Sequence, residues 1–236
     1  MLSALLTAGV AGTIGGSLYA GLSPQSQIFG ETIIAGRNPN AFALTYDDGP
    51  NDPVTPRLLE LLARHDVRAT FFLIGKFVRQ RPEIARLIAG AGHLIGNHTM
   101  THPWLVLASP ARVRREIADC SAAIEDAIGD QVKYFRCPHG ARRPDVLRSI
   151  REMGMVPVQW NVTAYDWEPI SAEKIFANIE QGIARNIKHG RGSNILLHDG
   201  GQNSIGQDRM ASVRATEMLL AKYAATKKFV TPEAWT

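Results

Sequence analysis

Short hydrophobic runs alternate with segments of helical periodicity from residue 41 to the end of the chain. Strand–helix–strand repetition with short connections is typical of parallel strands covered by helices. Seven runs have the length and composition of strands: AFALTYD, RATFFLIG, HLIGNH, KYFRCP, MVPVQWNV, NILLHD and KKFVT.

The segments between these runs carry apolar residues at spacings of three and four, which predicts helices with one buried face. Three of them have start signals. Ser109–Pro110 and Thr55–Pro56 each predict an N-cap followed by proline at the first helical position, and Ser171 predicts a third N-cap. Further helices are expected near residues 82–91, 144–153 and 208–225.

The strand count leaves two α/β architectures open. Seven strands are one short of a regular eight-stranded barrel, and a doubly wound open sheet would show the same alternation. No low-complexity linker follows position 40, and a chain of 236 residues can fold around a single hydrophobic core. We therefore predict a single domain, large enough for an enzyme, over residues 37–236. An N-terminal hydrophobic segment over residues 1–36 precedes it.

The N-terminal segment permits two interpretations. Residues 1–22 carry no charge and could cross a bilayer, but they are rich in small residues and lack the basic start of a signal peptide. As a signal or membrane anchor, residues 1–22 would associate with a membrane and place the protein outside the cytoplasm. As a small-residue helix packed on the domain, they would leave a cytoplasmic protein.

The charge distribution and the cysteine content exclude some classes of protein. The formal net charge is +4 and the pI about 9.2, but the basic residues are scattered, so no nucleic-acid partner is expected. Two cysteines, Cys120 and Cys137, exclude a disulfide scaffold; a single bridge between them is the alternative to two unpaired thiols, which we expect. The sequence does not indicate an oligomeric state.

Polar clusters follow five of the predicted strands, where the carboxyl ends of parallel strands meet. Two adjacent carboxylates, Asp47 and Asp48, repel each other unless a cation neutralises one of them. The clusters are Asp47–Asp48, NHTMTH (97–102), RCPHG (136–140), YDW (165–167) and LLHDG (196–200). We expect them to converge on one edge of the fold.

His98 and His102 are spaced i, i+4, which on a helical turn would place both imidazoles on one face. With one carboxylate they make a His₂Asp set. Such a set suits Zn²⁺ or a similar divalent ion and leaves coordination positions for water and substrate.

In this order, TYDDGP, HTMTH, RCPHG, YDW and LLHDG resemble the five motifs of the polysaccharide deacetylases of carbohydrate esterase family four, the NodB-homology domain. The resemblance covers residues 41–200. It implies a distorted (β/α) barrel with about seven parallel strands in a single domain. It also implies a metal-dependent hydrolase that removes N-acetyl groups from poly- or oligosaccharides containing N-acetylhexosamine, such as chitin or peptidoglycan.

The resemblance also implies roles for individual residues. Asp47 corresponds to the catalytic base, and Arg136 to the arginine that orients this base and keeps it ionised. Asp48, His98 and His102 correspond to the ligands of a divalent metal, first of all zinc, with cobalt, nickel or manganese as alternatives.

The remaining motif residues correspond to the acid and to the substrate pocket. His198 corresponds to the general acid, and Asp166 to the carboxylate that tunes it. The backbone N–H of His139, next to Pro138, would face the oxyanion. Trp167 and Leu196 would line the pocket for the acetyl methyl group.

Two positions depart from the family pattern. His139 stands where tyrosine is more common, and Thr163 stands where the family usually has a second aspartate. Two alternative functions remain: an O-acetyl esterase acting on a polysaccharide such as xylan, and a carbohydrate-binding pseudoenzyme. Asp199, outside the assigned roles, could support the site residues from behind or simply begin a turn, and we favour the turn.

Overall fold

The computed structural model describes residues 19–236, so the first half of the predicted N-terminal hydrophobic segment, residues 1–18, lies outside the described residues. Among residues 19–236, no helix is long and apolar enough to span a membrane. The part that leads into the domain packs against it. The buried Arg142 guanidinium donates to the carbonyl oxygens of Ser23 and Ser26, and Ile33 forms a parallel bridge with Val158.

The described residues form eight strands and seven named helices. The strands are β1 (Ala41–Gly49), β2 (Thr70–Leu73), β3 (Leu94–Asn97), β4 (Tyr134–Phe135), β5 (Val156–Pro157), β6 (Val162–Thr163), β7 (Ser193–His198) and β8 (Lys228–Phe229). The helices are α1 (Val54–Arg64), α2 (Gly75–Gln80), α3 (Pro82–Gly90), α4 (Pro110–Ile128), α5 (Pro144–Glu152), α6 (Ala172–Lys188) and α7 (Met210–Tyr223). Short 3₁₀ turns lie at Leu105–Leu107, Pro138–Gly140 and Pro232–Trp235.

The strands form one curled sheet in the order β5-β4-β3-β2-β1-β7-β6. All its pairs are parallel, and β8 pairs with the start of β1. The predicted run MVPVQWNV is divided between β5 and β6, the two ends of the sheet. The N–H groups of Gln159 and Asn161 bond to the carbonyls of Ile33 and Asn194 in the intervening segment. The predicted distorted (β/α) barrel with about seven parallel strands is confirmed.

The core lies between this sheet and its helices, and all nine residues of β1 are buried. Such complete burial explains why β1, apart from Thr45, is apolar up to its two aspartates. Cys120 and Cys137 are buried free thiols, as predicted.

Helix starts agree with the sequence at two of three positions. Ser109 and Ser171 accept hydrogen bonds from the backbone N–H three residues later, at 3.3 Å in both cases. The start predicted at Thr55–Pro56 is wrong, because α1 already begins at Val54. Thr55 is not free to act as an N-cap, since its hydroxyl accepts from the N–H of Asn51 and donates to the carboxylate of Asp199.

Candidate active site

The polar clusters meet at the carboxyl edge of the sheet, as predicted, around a cavity of about 470 Å³. Two further predicted residues lie behind the lining: Arg136 contacts Asp47, and Asp166 contacts His198. Pro138 is buried beside the cavity without being part of its lining. The predicted site residues that line the cavity are Asp47, Asp48, His98, His102, His139, Trp167, Leu196 and His198.

The end of β1 explains how two consecutive aspartates face the same cavity. Side chains in a regular strand alternate between the two faces of the sheet. Here the pairing of β1 with β2 shifts register between Asp47 and Gly49, and Asp48 has a left-handed backbone with φ of 72°. This bulge returns the Asp48 carboxylate to the side that Asp47 already faces.

Asp48, His98 and His102 form a compact cluster of potential metal ligands. The Asp48 Oδ1 atom lies 3.2 Å from Nε2 of His102 and 3.5 Å from Nε2 of His98. One ligand atom from each residue falls within 4.8 Å of the others. Within residues 19–236, this buried Oδ1 has no hydrogen-bond partner, although it sits between two imidazoles. A buried carboxylate oxygen without a proton donor fits a cation.

The two imidazoles are in the chemical form that binds metals. Nδ1 of His98 donates to the carbonyl of Arg136 at 2.9 Å, which leaves the Nε2 lone pair directed at the cluster. Burial lowers the pKa of His98 well below its usual value and that of His102 to about 4. Both rings are therefore neutral at physiological pH.

The predicted helical turn from His98 to His102 is wrong. This segment is irregular, with positive φ values of 68° at Thr99 and 60° at His102. Side chains replace helical hydrogen bonds: Oδ1 of Asn97 accepts from the Thr99 N–H, and the Thr99 hydroxyl accepts from the His102 N–H. The two histidines still meet at Asp48, but through a side-chain-braced loop.

Asp47 is held by a buried arginine. Nη1 of Arg136 lies 2.8 Å from Oδ1 of Asp47, and the same nitrogen donates to the Thr45 hydroxyl. Burial raises the pKa of Asp47, while the Arg136 and His198 charges oppose that shift. The net effect is a raised pKa, so Asp47 has a higher proton affinity than it would have in water, while Arg136 favours its ionised form.

His198 and Asp166 form a second buried pair. Oδ1 of Asp166 lies 2.8 Å from Nδ1 of His198, and its Oδ2 accepts from the His198 backbone N–H. Although burial lowers the pKa of His198, the Asp166 charge and hydrogen bond outweigh it and raise the pKa to about 9. Nε2 of a protonated His198 is then a proton donor at neutral pH.

The sequence analysis missed one partner of this pair. The Ser212 hydroxyl on α7 donates to Oδ2 of Asp166 at 2.7 Å, so the carboxylate accepts three hydrogen bonds. These interactions hold the pKa of Asp166 below its usual value despite burial. No sequence pattern distinguishes Ser212 from the other small residues of that helix.

The two positions that depart from the family pattern both have identifiable contacts. The His139 imidazole, and not its backbone alone, lies at the site, with its ring centroid 4.6 Å from that of His102. Thr163 accepts a hydrogen bond from the Trp160 indole at 3.0 Å. Arg136 is instead anchored by Asp47, Thr45 and the carbonyl of Gln159.

Asp199 does not simply begin a turn, which corrects the sequence-based expectation. Its side chain is fully buried beneath the end of β1 and hydrogen-bonds to Thr55. Burial raises its pKa to about 7. A Cβ atom on Gly49 would lie only 2.4 Å from the carboxylate, so Asp199 packs directly against the strand end that carries Asp47 and Asp48.

Comparisons with known proteins define the family. The sequence profile of the polysaccharide deacetylase family matches residues 35–158, more than half of the chain. A chitooligosaccharide deacetylase from Bradyrhizobium sp. (strain ANU 289) is 39% identical over 158 residues, which cover 66% of this chain and 69% of the relative. The protein therefore belongs to the polysaccharide deacetylase family.

Solved structures of similar fold include both an enzyme and a pseudoenzyme. The Bc1960 peptidoglycan N-acetylglucosamine deacetylase is 32% identical, with a TM-score of 0.75 and coverage of 84% of this chain and 89% of that one. A CE4 family pseudoenzyme from Bacillus anthracis is 26% identical, also with a TM-score of 0.75, covering 85% of this chain and 67% of that one.

Proposed function

We propose that this protein is a metal-dependent hydrolase that removes N-acetyl groups from glycans containing N-acetylhexosamine. One observation carries the proposal: a His₂Asp cluster shares its cavity with an Asp–Arg pair and a His–Asp pair. Amide hydrolysis needs an activated water, a base to deprotonate it and an acid to protonate the leaving amine. The three groups supply these functions. Relatives named as deacetylases of chitooligosaccharides and of peptidoglycan support the substrate class.

Asp48, His98 and His102 would hold a divalent cation, for which Zn²⁺ is our first expectation. Such an ion, when bound, polarises a carbonyl group and lowers the pKa of a water molecule. The neutral imidazoles and the unpartnered carboxylate oxygen suit this task.

Asp47 takes the proton of the attacking water. Its Oδ1 atom is engaged by Arg136, whereas Oδ2 lies 3.7 Å from Nε2 of the metal-ligand candidate His98. The free oxygen therefore faces the region where the water must stand. Arg136 keeps the carboxylate ionised, and burial raises its affinity for the proton that it must accept.

His198 delivers a proton to the leaving nitrogen from Nε2. Its other ring nitrogen is hydrogen-bonded to Asp166, which stabilises the imidazolium before transfer. Protonation is required because an amine anion is a very poor leaving group. We assign the backbone N–H of His139 to the developing oxyanion, beside Pro138 at the cavity wall.

The acetyl methyl group would lie against Leu196 and Trp167. Leu196 is 2% exposed within β7, and the Trp167 ring stands edge-on to His198 with centroids 5.4 Å apart. The Trp167 ring is thus an apolar neighbour of the proposed acid His198, on the side where a small acyl group must fit.

The proposal is tested with purified protein supplied with Zn²⁺ and incubated with N-acetylchitotetraose or acetylated xylan. We expect acetate release from the amide substrate, loss of release with a chelator and recovery on adding metal. Acetate from xylan alone would identify an O-acetyl esterase instead. Glycan binding without acetate from either substrate would identify a carbohydrate-binding pseudoenzyme.

A cell-fractionation experiment addresses the N-terminal segment. We propose that residues 37–236 are the catalytic domain and that residues 1–36 direct the protein out of the cytoplasm or to a membrane. The intact chain should then fractionate with membranes or outside the cytoplasm, unlike a chain starting near Gln25. Recovery of the intact chain only in the soluble cytoplasm would contradict this proposal.

A further inference from the structure

An exposed tryptophan extends the wall of the cavity beyond the catalytic groups. The Trp104 indole lies parallel to the His139 imidazole, with centroids 3.9 Å apart and an interplanar angle of 11°. His139 in turn lines the cavity and packs edge-on against His102. Trp104 is nevertheless 47% exposed, so a large aromatic surface lies open to solvent one ring away from the metal-ligand candidates.

The loop that carries Trp104 is anchored directly after the tryptophan. The Arg143 guanidinium donates to the carbonyl oxygens of Val106, at 2.8 Å, and Ala108. Leu105, directly after the tryptophan, is completely buried. These contacts and the stacking on His139 hold the indole in place before any ligand binds, which reduces the entropy lost on binding.

We propose that the exposed surface of Trp104 binds a second sugar ring of the glycan chain, next to the sugar whose acetyl group is removed. A β-linked hexosamine ring presents axial C–H groups on its faces, and these apolar faces pack well on a flat aromatic ring. Trp104 is thereby a specificity-determining residue that favours glycan substrates of two or more sugar rings over a single sugar. This inference rests on the proposed deacetylase function.

A single exposed aromatic residue needs no functional explanation by itself. Two features distinguish Trp104 from Leu107 on the same loop, which is 83% exposed. Trp104 continues the cavity wall through His139, and it is planar, as a sugar-binding surface requires. Neither residue lines the cavity itself, but only Trp104 stacks on the lining residue His139, so Leu107 provides a matched control.

The test compares Trp104→Ala, Trp104→Phe and Leu107→Ala with the unaltered protein on N-acetylglucosamine, which has a single ring, and on N-acetylchitotetraose. We expect Trp104→Ala to raise KM for the tetramer about tenfold, equivalent to about 1.4 kcal/mol, with a smaller change for the single sugar. The kcat should change much less than KM. Phenylalanine should restore much of the affinity, and Leu107→Ala should leave both constants as they are.

Two kinetic results would overturn the inference. An unchanged KM for the tetramer would show that the indole binds no sugar. An equal loss of kcat on both substrates would show that Trp104 acts only by supporting His139 and His102.

A binding experiment separates this inference from the proposed chemistry. Calorimetric titration of N-acetylchitotetraose into zinc-loaded Asp47→Asn protein, with and without Trp104→Ala, measures affinity without turnover. If the unaltered protein releases no acetate, the proposed function fails, but tenfold weaker binding without the indole would still support the sugar site. Equal affinity, or no binding by either protein, would contradict it.

Discussion

The Arg136 guanidinium reaches Asp47 from inside the barrel, with 2.8 Å between Nη1 and Oδ1 and neither side chain more than 4% exposed. The cation also lies over the Phe72 ring, 4.1 Å from its centroid. Arg136 is therefore both a core residue and the counter-charge of the proposed base. In a buried ion pair of this kind, each charge stabilises the fold chiefly by compensating the other, because an unpaired buried charge is strongly destabilising.

Replacing Arg136 by methionine should isolate the Asp47 charge. We expect the free energy of unfolding to fall by about 3–5 kcal/mol at neutral pH. In the variant, burial without a counter-charge raises the Asp47 pKa, so stability is lost as the pH rises through that value. The deficit should therefore shrink in acid. Urea unfolding at neutral and at acidic pH measures the loss of stability and its dependence on pH.

Arg148 on α5 is exposed and provides the control for that substitution. Arg148→Met should change stability by no more than about 0.5 kcal/mol. A deficit of the Arg136 variant that is the same in acid as at neutral pH would contradict the charge argument and indicate lost packing instead.

Metal binding should depend on Asp48 and not on a neighbouring exposed carboxylate. Asp48→Asn keeps the size of the side chain but removes its charge. We expect it to weaken Zn²⁺ binding at least about 100-fold, because the site loses its only anionic ligand. Asp52 is exposed and lies four residues after Asp48, so the Asp52→Asn protein should bind Zn²⁺ as tightly as the unaltered protein does. Competition with a chromophoric chelator gives both affinities, and equal affinities would exclude Asp48 as a ligand.

The protonation of His198 should depend on Asp166. In metal-free protein, the His198 pKa is raised to about 9, because the Asp166 charge and hydrogen bond outweigh burial. In Asp166→Asn the strongest raising effect is removed, while burial still lowers the His198 pKa and the charges of Asp48 and Asp47 still raise it, so the pKa should fall from about 9 towards its ordinary value of about 6.5. NMR titration of the imidazole resonances measures this shift.

Asp208 is exposed and lies just before α7. Asp208→Asn should leave the His198 titration in place, which controls for a general effect of lost negative charge. A His198 pKa that stays near 9 in Asp166→Asn would mean that another group holds the proton.

Gly49 should tolerate no side chain, because a Cβ atom there would lie 2.4 Å from Asp199 Oδ2. We expect Gly49→Ala to destabilise the protein by about 1–3 kcal/mol, the usual cost of overpacking. Gly90, at the exposed end of α3, has nothing within 4 Å of a Cβ atom. Gly90→Ala should be neutral or slightly stabilising. Equal thermal stability of the two variants would contradict the close packing of Asp199.

The fold was predictable because burial imposes a simple pattern. Strands such as β1 are buried on both sides and read as apolar runs, and Ser109 and Ser171 are N-caps whose signals depend only on local geometry. The division of MVPVQWNV into two strands was not predictable. It depends on hydrogen bonds from Gln159 and Asn161 to segments far away in the sequence.

The site was predictable in composition but not in detail. Polar residues after apolar runs identified the converging edge, yet the helical turn expected at His98–His102 is a loop held by side-chain hydrogen bonds. The spacing of residues along the sequence does not reveal such side-chain hydrogen bonds. Ser212 and Asp199 act through contacts with residues distant in sequence, so local patterns could not reveal their surroundings.

The most direct test of the proposed chemistry is acetate release by Asp47→Asn, a variant of nearly unchanged shape, with Zn²⁺ binding verified on the same sample. We predict that the unaltered protein releases acetate from N-acetylchitotetraose. The variant should retain the metal but lose at least about 100-fold in kcat, as expected for removal of a general base. Equal release by the two metal-loaded proteins would contradict the assignment of Asp47 and the mechanism built on it.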